Sequence, residues 1–79
     1  MQPDLTELVT DLVRRLVQHP EAVEVRVLEG SPVLYEVRVA PEDQGRIIGR
    51  EGRAIRSLRL LVAAAARKAG VRATLEIAD

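Results

Sequence analysis

The chain has no cysteine, no tryptophan and no phenylalanine, and one tyrosine and one histidine among its 79 residues. Without cysteine, disulfides and thiolate metal ligation are excluded, which fits a reducing cytoplasm. With Tyr35 as the single aromatic, a surface built on stacked rings is excluded too. His19 has no co-ligands nearby in sequence, so neither a metal nor another cofactor is expected. No apolar run approaches the ~20 residues of a membrane-spanning helix, and no basic-then-apolar leader opens the sequence. The length suits one domain over 1–79.

Charge is present but divided. Residues 1–45 hold nine acids and four bases, a balance of −5, and residues 46–79 hold eight bases and three acids, a balance of +5. A formal net charge of zero therefore conceals a basic half suited to a polyanion.

Leu5, Leu8, Val9, Leu12, Val13, Leu16 and Val17 recur at three- and four-residue steps and predict a one-sided helix. Asp4 is its expected cap, with Glu7 as the capping-box partner and Pro20 as the stop. Val23, Val25 and Val27 alternate with Glu24 and Arg26, and beyond the turn residues 29–32 Val33, Tyr35, Val37 and Val39 alternate with Leu34, Glu36 and Arg38. Together they predict an antiparallel hairpin. Pro41, followed by Glu42 and Asp43, predicts a short helix to about Ile48. A longer helix follows from Gly52 or Arg53 to Ala69, with Gly70 at its end. Leu75 and Ile77 predict a third strand. At 100° per residue, Ala54, Ile55, Leu58, Leu61, Val62, Ala65, Ala66 and Ala69 share an apolar arc, and Arg53, Arg56, Arg59, Arg67 and Lys68 share the opposite one. Leu60 stands among those charges, flanked by Ala63 and Ala64, as a candidate dimer contact. The expected class is α+β, α-β-β-α-α-β, a three-stranded sheet covered by helices on one face.

Between the last two helices lies Gly49-Arg50-Glu51-Gly52, a loop whose glycines leave the backbone uncovered. It is bracketed by Arg46 and by Arg53 and Arg56. Exposed amides at a helix start, beside guanidinium groups, suit the phosphates of a polymer. No Lys-Ser/Thr follows the glycines, no G-x-G-x-x-G precedes them, and no Ser-His-Asp set is credible. The reading is therefore neither an enzyme nor a small-molecule binder, with no catalytic residues.

The run Ile47-Ile48-Gly49-Arg50-Glu51-Gly52-Arg53-Ala54-Ile55-Arg56-Ser57-Leu58 resembles the KH-domain motif V-I-G-x-x-G-x-x-I-x-x-L. The element order resembles the type II KH topology, and the whole chain is similar to the small bacterial single-KH proteins of the KhpA type. That resemblance implies about four nucleotides of single-stranded RNA held at the GxxG loop, residues 49–52. The implied contacts are Arg46, Ile48, Gly49, Arg50, Glu51, Gly52, Arg53, Ile55 and Arg56. Ile48, Ile55 and Val37 or Val39 are candidates for an aliphatic groove under the bases, and the isoleucines suit the core equally. The resemblance further implies an RNA chaperone or post-transcriptional regulator tied to cell-envelope growth and division. Its implied partners are a second copy or a larger multidomain KH protein of the KhpB type. Glu51 departs from the family, whose members more often carry a neutral polar residue there. With Leu60 it favours the alternative of a KH scaffold kept for protein–protein contact.

Overall fold

The structure is a computed structural model that describes residues 4–48 and 52–78; the side chains of Arg46, Ile47 and Ile48 lie outside that description. The elements are α1 (Thr6–Arg14), β1 (Glu24–Leu28), β2 (Val33–Arg38), α2 (Pro41–Ile48), α3 (Arg53–Lys68) and β3 (Ala73–Ile77), with a 3-10 turn at Pro20–Ala22 before β1. The expected order and α+β class are thus met. β2 is the central strand, antiparallel to β1 and parallel to β3. The parallel pairing follows from the two helices between β2 and β3, which return the chain to the end of the sheet where β2 begins, on the edge opposite β1.

Strand alternation sorts the two faces of the sheet. Val33, Tyr35 and Val37 of β2 and Leu75 of β3 are buried beneath α1 and α3. Their neighbours Glu36, Arg38 and Glu76 face the other way, where Arg26 and Glu36 pair across the strands at 3.8 Å. That pair is largely exposed and adds at most about 1 kcal/mol. From α1, Val9 and Val13 are completely buried; from α3, Leu58, Val62 and Ala66 are all but completely buried, and Ile55 keeps 8% exposure. Tyr35 joins the core ring-first, and its hydroxyl accepts the Leu5 N–H at 3.0 Å, tying the central strand to the start of α1.

Three expectations are corrected. First, α1 ends at Arg14 and does not continue to Val17. The amides of Gln18 and His19 leave the helix to donate to the Asp43 carboxylate, so the stop comes from tertiary contact well before Pro20. Nor is Asp4 the cap: Leu5 holds that position without a side-chain cap bond, and Asp4, one residue earlier, accepts the Thr6 N–H at 2.9 Å and the Thr6 hydroxyl. Secondly, Leu61 is 53% exposed and Ala69 is also exposed. The buried stripe of α3 spans about 80° of helix circumference and leaves Leu61 outside it, because three strands and α1 offer no more cover; Ala69 falls within the stripe but is the C-cap, past the last helical residue. Thirdly, Arg59 is not simply solvated: its Nε donates to the Leu75 carbonyl at 2.9 Å, covering part of the edge of β3.

α3 ends as glycine dictates. Gly70 sits at φ +82°, its N–H donates to the Arg67 carbonyl at 3.1 Å, and the Val71 N–H donates to Ala66 at 2.9 Å. This is the paired Schellman closure, and it returns the chain to begin β3.

Candidate nucleic-acid interface

α2 and α3 flank the glycine loop and pack against one another. Pro41 occupies the first position of α2, where its missing N–H costs nothing, and the Asp43 N–H closes on the Ala40 carbonyl at 2.8 Å. α2 runs for eight residues and ends at Ile48, its last turn formed by Arg46, Ile47 and Ile48. Gly49, Arg50 and Glu51 lie outside the described residues. The chain resumes at Gly52, the N-cap of α3, with φ 64° and ψ 30° in the left-handed region. A Cβ there would meet only the Ile55 Cγ2 at 3.4 Å, an ordinary contact; the demand for glycine is one of backbone conformation.

Arg53 is the first residue of α3 and Arg56 lies one turn on; both are exposed, and both make polar contacts within the fold. Among the described residues the first turn of α3 holds no acid, and Arg53 stands at the positive end of its dipole. Ile55 points inward: at 8% exposure it belongs to the core with Leu58 and Val62. Val37 is completely buried and Val39 is 4% exposed, so neither strand residue offers a base any surface. Of the expected contacts, Gly52, Arg53, Ile55 and Arg56 are therefore gathered at one helix start, adjoining the turn that carries Arg46 and Ile48.

In the sequence Asp43 reads only as one of two acids at the start of a short helix. It is fully buried, and its Oδ1 and Oδ2 accept the Gln18 and His19 amides at 2.9 and 3.0 Å. The signal was present: Asp43 stands one helical turn before Ile47, on the side of α2 that the apolar pattern assigns to the interior. The His19 imidazole lies 3.4 Å from Glu42 on α2 and 3.6 Å from Glu21. Among the described residues no group of three or more His, Cys, Asp or Glu side chains is arranged to hold a metal, and no helix is long and apolar enough to cross a membrane.

A mixed three-stranded sheet in the order α-β-β-α-α-β, with two helices joined through glycine, defines a type II KH domain. The family model for the KhpA/KhpB KH domain matches residues 6–77, and the chain belongs to that family. The RNA-binding protein KhpA of Caldanaerobacter subterraneus subsp. tengcongensis is 44% identical over 72 residues, covering 90% of this chain and 96% of its own. That of Borreliella burgdorferi is 42% identical over 74 residues, 92% of this chain and 90% of its own. That of Chlamydia pneumoniae is 37% identical over 76 residues, 95% and 97%.

Proposed function

We propose that the chain is a cytoplasmic RNA-binding protein that holds about four nucleotides of single-stranded RNA at the Gly49–Gly52 loop. The observation that carries this reading is the left-handed Gly52 opening α3, with Arg53 and Arg56 on the following turn, in a chain whose relatives bear the name RNA-binding protein. Gly49 and Gly52 let the sugar-phosphate chain approach the α3 amides. Arg46, Arg50, Arg53 and Arg56 supply charge, Glu51 moderates it, and Ile48 and the residual surface of Ile55 border the bases. Binding of this kind suits an RNA chaperone or post-transcriptional regulator acting in envelope growth and division.

Pairing with a second copy, or with a larger KhpB-type protein, would use the outer face of α3, where Leu60 is 72% and Leu61 53% exposed. Two clamps on one polymer raise the effective concentration of each. Static light scattering tests this: Leu60→Asp lowers the mass to that of a monomer, and a wild-type protein that is monomeric at high concentration refutes it. The same exposed leucines favour the rival scaffold reading, in which α3 serves a protein partner and RNA binding is lost.

The deciding experiment replaces Arg50 and Glu51 together by Asp. RNA crosslinking in cells collapses while the circular-dichroism melt stays within a few degrees of wild type. Unchanged crosslinking would establish the rival.

A further inference from the structure

The clamp accounts for Arg46, Arg50, Arg53 and Arg56, and Arg59 is engaged with the edge of β3. The basic half of the chain has more to explain. Where α3 gives way to β3, Arg67 and Arg72 border a hollow of about 490 Å³ shared with Pro32, Ala63, Gly70 and Thr74. An adjoining hollow of about 240 Å³ shares Arg72 and Gly70 and adds Ser31. No carboxylate is among the residues lining either one.

Arginine near a helix C-terminus is ordinarily explained by the helix dipole and its unpaired carbonyls. That explanation is weak here. The Ala66 and Arg67 carbonyls are already taken by the Val71 and Gly70 amides, and Arg72 lies four residues beyond the end of α3. The Arg72 backbone is anchored, its carbonyl accepting the Val33 N–H at 2.9 Å, so its side chain starts from a defined place on the rim. Two guanidinium groups from separate elements, with two hydroxyls and no acid, make a recess suited to the non-bridging oxygens of phosphate.

We propose that this recess is a second phosphate-binding site for the same single strand, contacted through Arg67 and Arg72. The inference rests on the reading of the chain as an RNA binder and extends its footprint. α3 runs 16 residues from Arg53 to Lys68, placing the recess about 24 Å along the helix from the glycine loop. A strand of about four nucleotides fills the loop alone. A longer strand following α3 reaches both ends.

The test compares wild type with Arg67→Gln/Arg72→Gln, using oligouridylates of about 4 and about 12 nucleotides over roughly 50 to 200 mM salt. The short strand binds both proteins alike. The long strand binds the variant roughly tenfold more weakly, and the slope of log affinity against log salt falls by about 1.4, the value for two single-strand phosphate contacts. Arg67→Lys/Arg72→Lys keeps the charges and restores the slope. Arg14→Gln/Arg15→Gln, the same charge change on α1, leaves the long strand unaffected. Equal long-strand affinity and slope in wild type and the Gln variant would overturn the proposal, and so would an equal loss in the α1 control. The Arg50→Asp/Glu51→Asp variant reports separately: if it still binds the short strand, the clamp reading fails, and the slope comparison at Arg67 and Arg72 is judged by itself.

Discussion

Asp43 grips the backbone of His19 across 24 residues of sequence, its carboxylate accepting the His19 amide at 3.0 Å and the neighbouring Gln18 amide at 2.9 Å. A fully buried acid thereby joins the first turn of α2 to the segment that leaves α1. Asp43→Asn keeps the shape but places an amide donor against one of two backbone donors. The expected loss is about 1–3 kcal/mol, from leaving a buried group unsatisfied. For a domain of this size that lowers Tm by roughly 4–8 °C per kcal/mol. A thermal melt of Asp43→Asn coincident with wild type would show that the two amides find other partners.

Tyr35 presents a smaller version of the same arrangement. Tyr35→Phe preserves the buried ring and removes the acceptor of the Leu5 N–H. We expect a cost of about 1 kcal/mol, with the Leu5 amide exchanging faster with solvent than in wild type. Unchanged exchange at Leu5 would assign the hydroxyl no part in holding α1.

Gly52 and Gly70 both lie in the left-handed region, at φ 64° and 82°. A Cβ at Gly70 meets nothing within 4 Å, so any cost of substitution there is conformational. Gly70→Ala should therefore destabilise by about 1 kcal/mol. Gly70→Asn should cost less, because asparagine tolerates this region. Urea melts that rank the two variants equally would contradict this account.

The Asp4 carboxyl is held below its ordinary value of 3.8 first by the Thr6 hydroxyl bond and then by the Thr6 amide bond. A lowered folded-state value means that the Asp4–Thr6 contact contributes while Asp4 is ionised, in full above about pH 4, and is lost as pH falls through that lowered value. In an NMR titration Asp4 should titrate below 3.8, and Thr6→Ala should move it part of the way back, since the amide bond survives. An Asp4 midpoint unmoved by Thr6→Ala would discount the hydroxyl.

Elements with local causes were legible in the sequence. Pro41, with Glu42 and Asp43 behind it, marked α2, and Gly70 marked the end of α3. The alternation of valines with charged residues found β1 and β2 and their hairpin pairing. What escaped depends on contacts between distant segments. α1 stops where Asp43 draws away two amides, and no pattern within residues 4–20 announces that. Leu61 satisfies helical periodicity yet meets no facing layer. Arg59 belongs by spacing to the solvated arc and is diverted by a carbonyl of β3. At the candidate interface, glycine spacing and flanking arginines located the helix start. The Arg67–Arg72 recess went unseen, because only the fold brings the α3–β3 turn against Pro32.

The parallel pairing of β2 with β3 has a consequence for how the domain assembles. β1 and β2 close across four residues, whereas 34 residues separate Arg38 from Ala73. The ribbon of two strands can zip in microseconds, but its inner partner edge stays bare until both intervening helices have folded back over it. During that interval the valines of β2 are open to strands from other molecules, so crowding and slow collapse of α3 are the conditions under which this protein would clump.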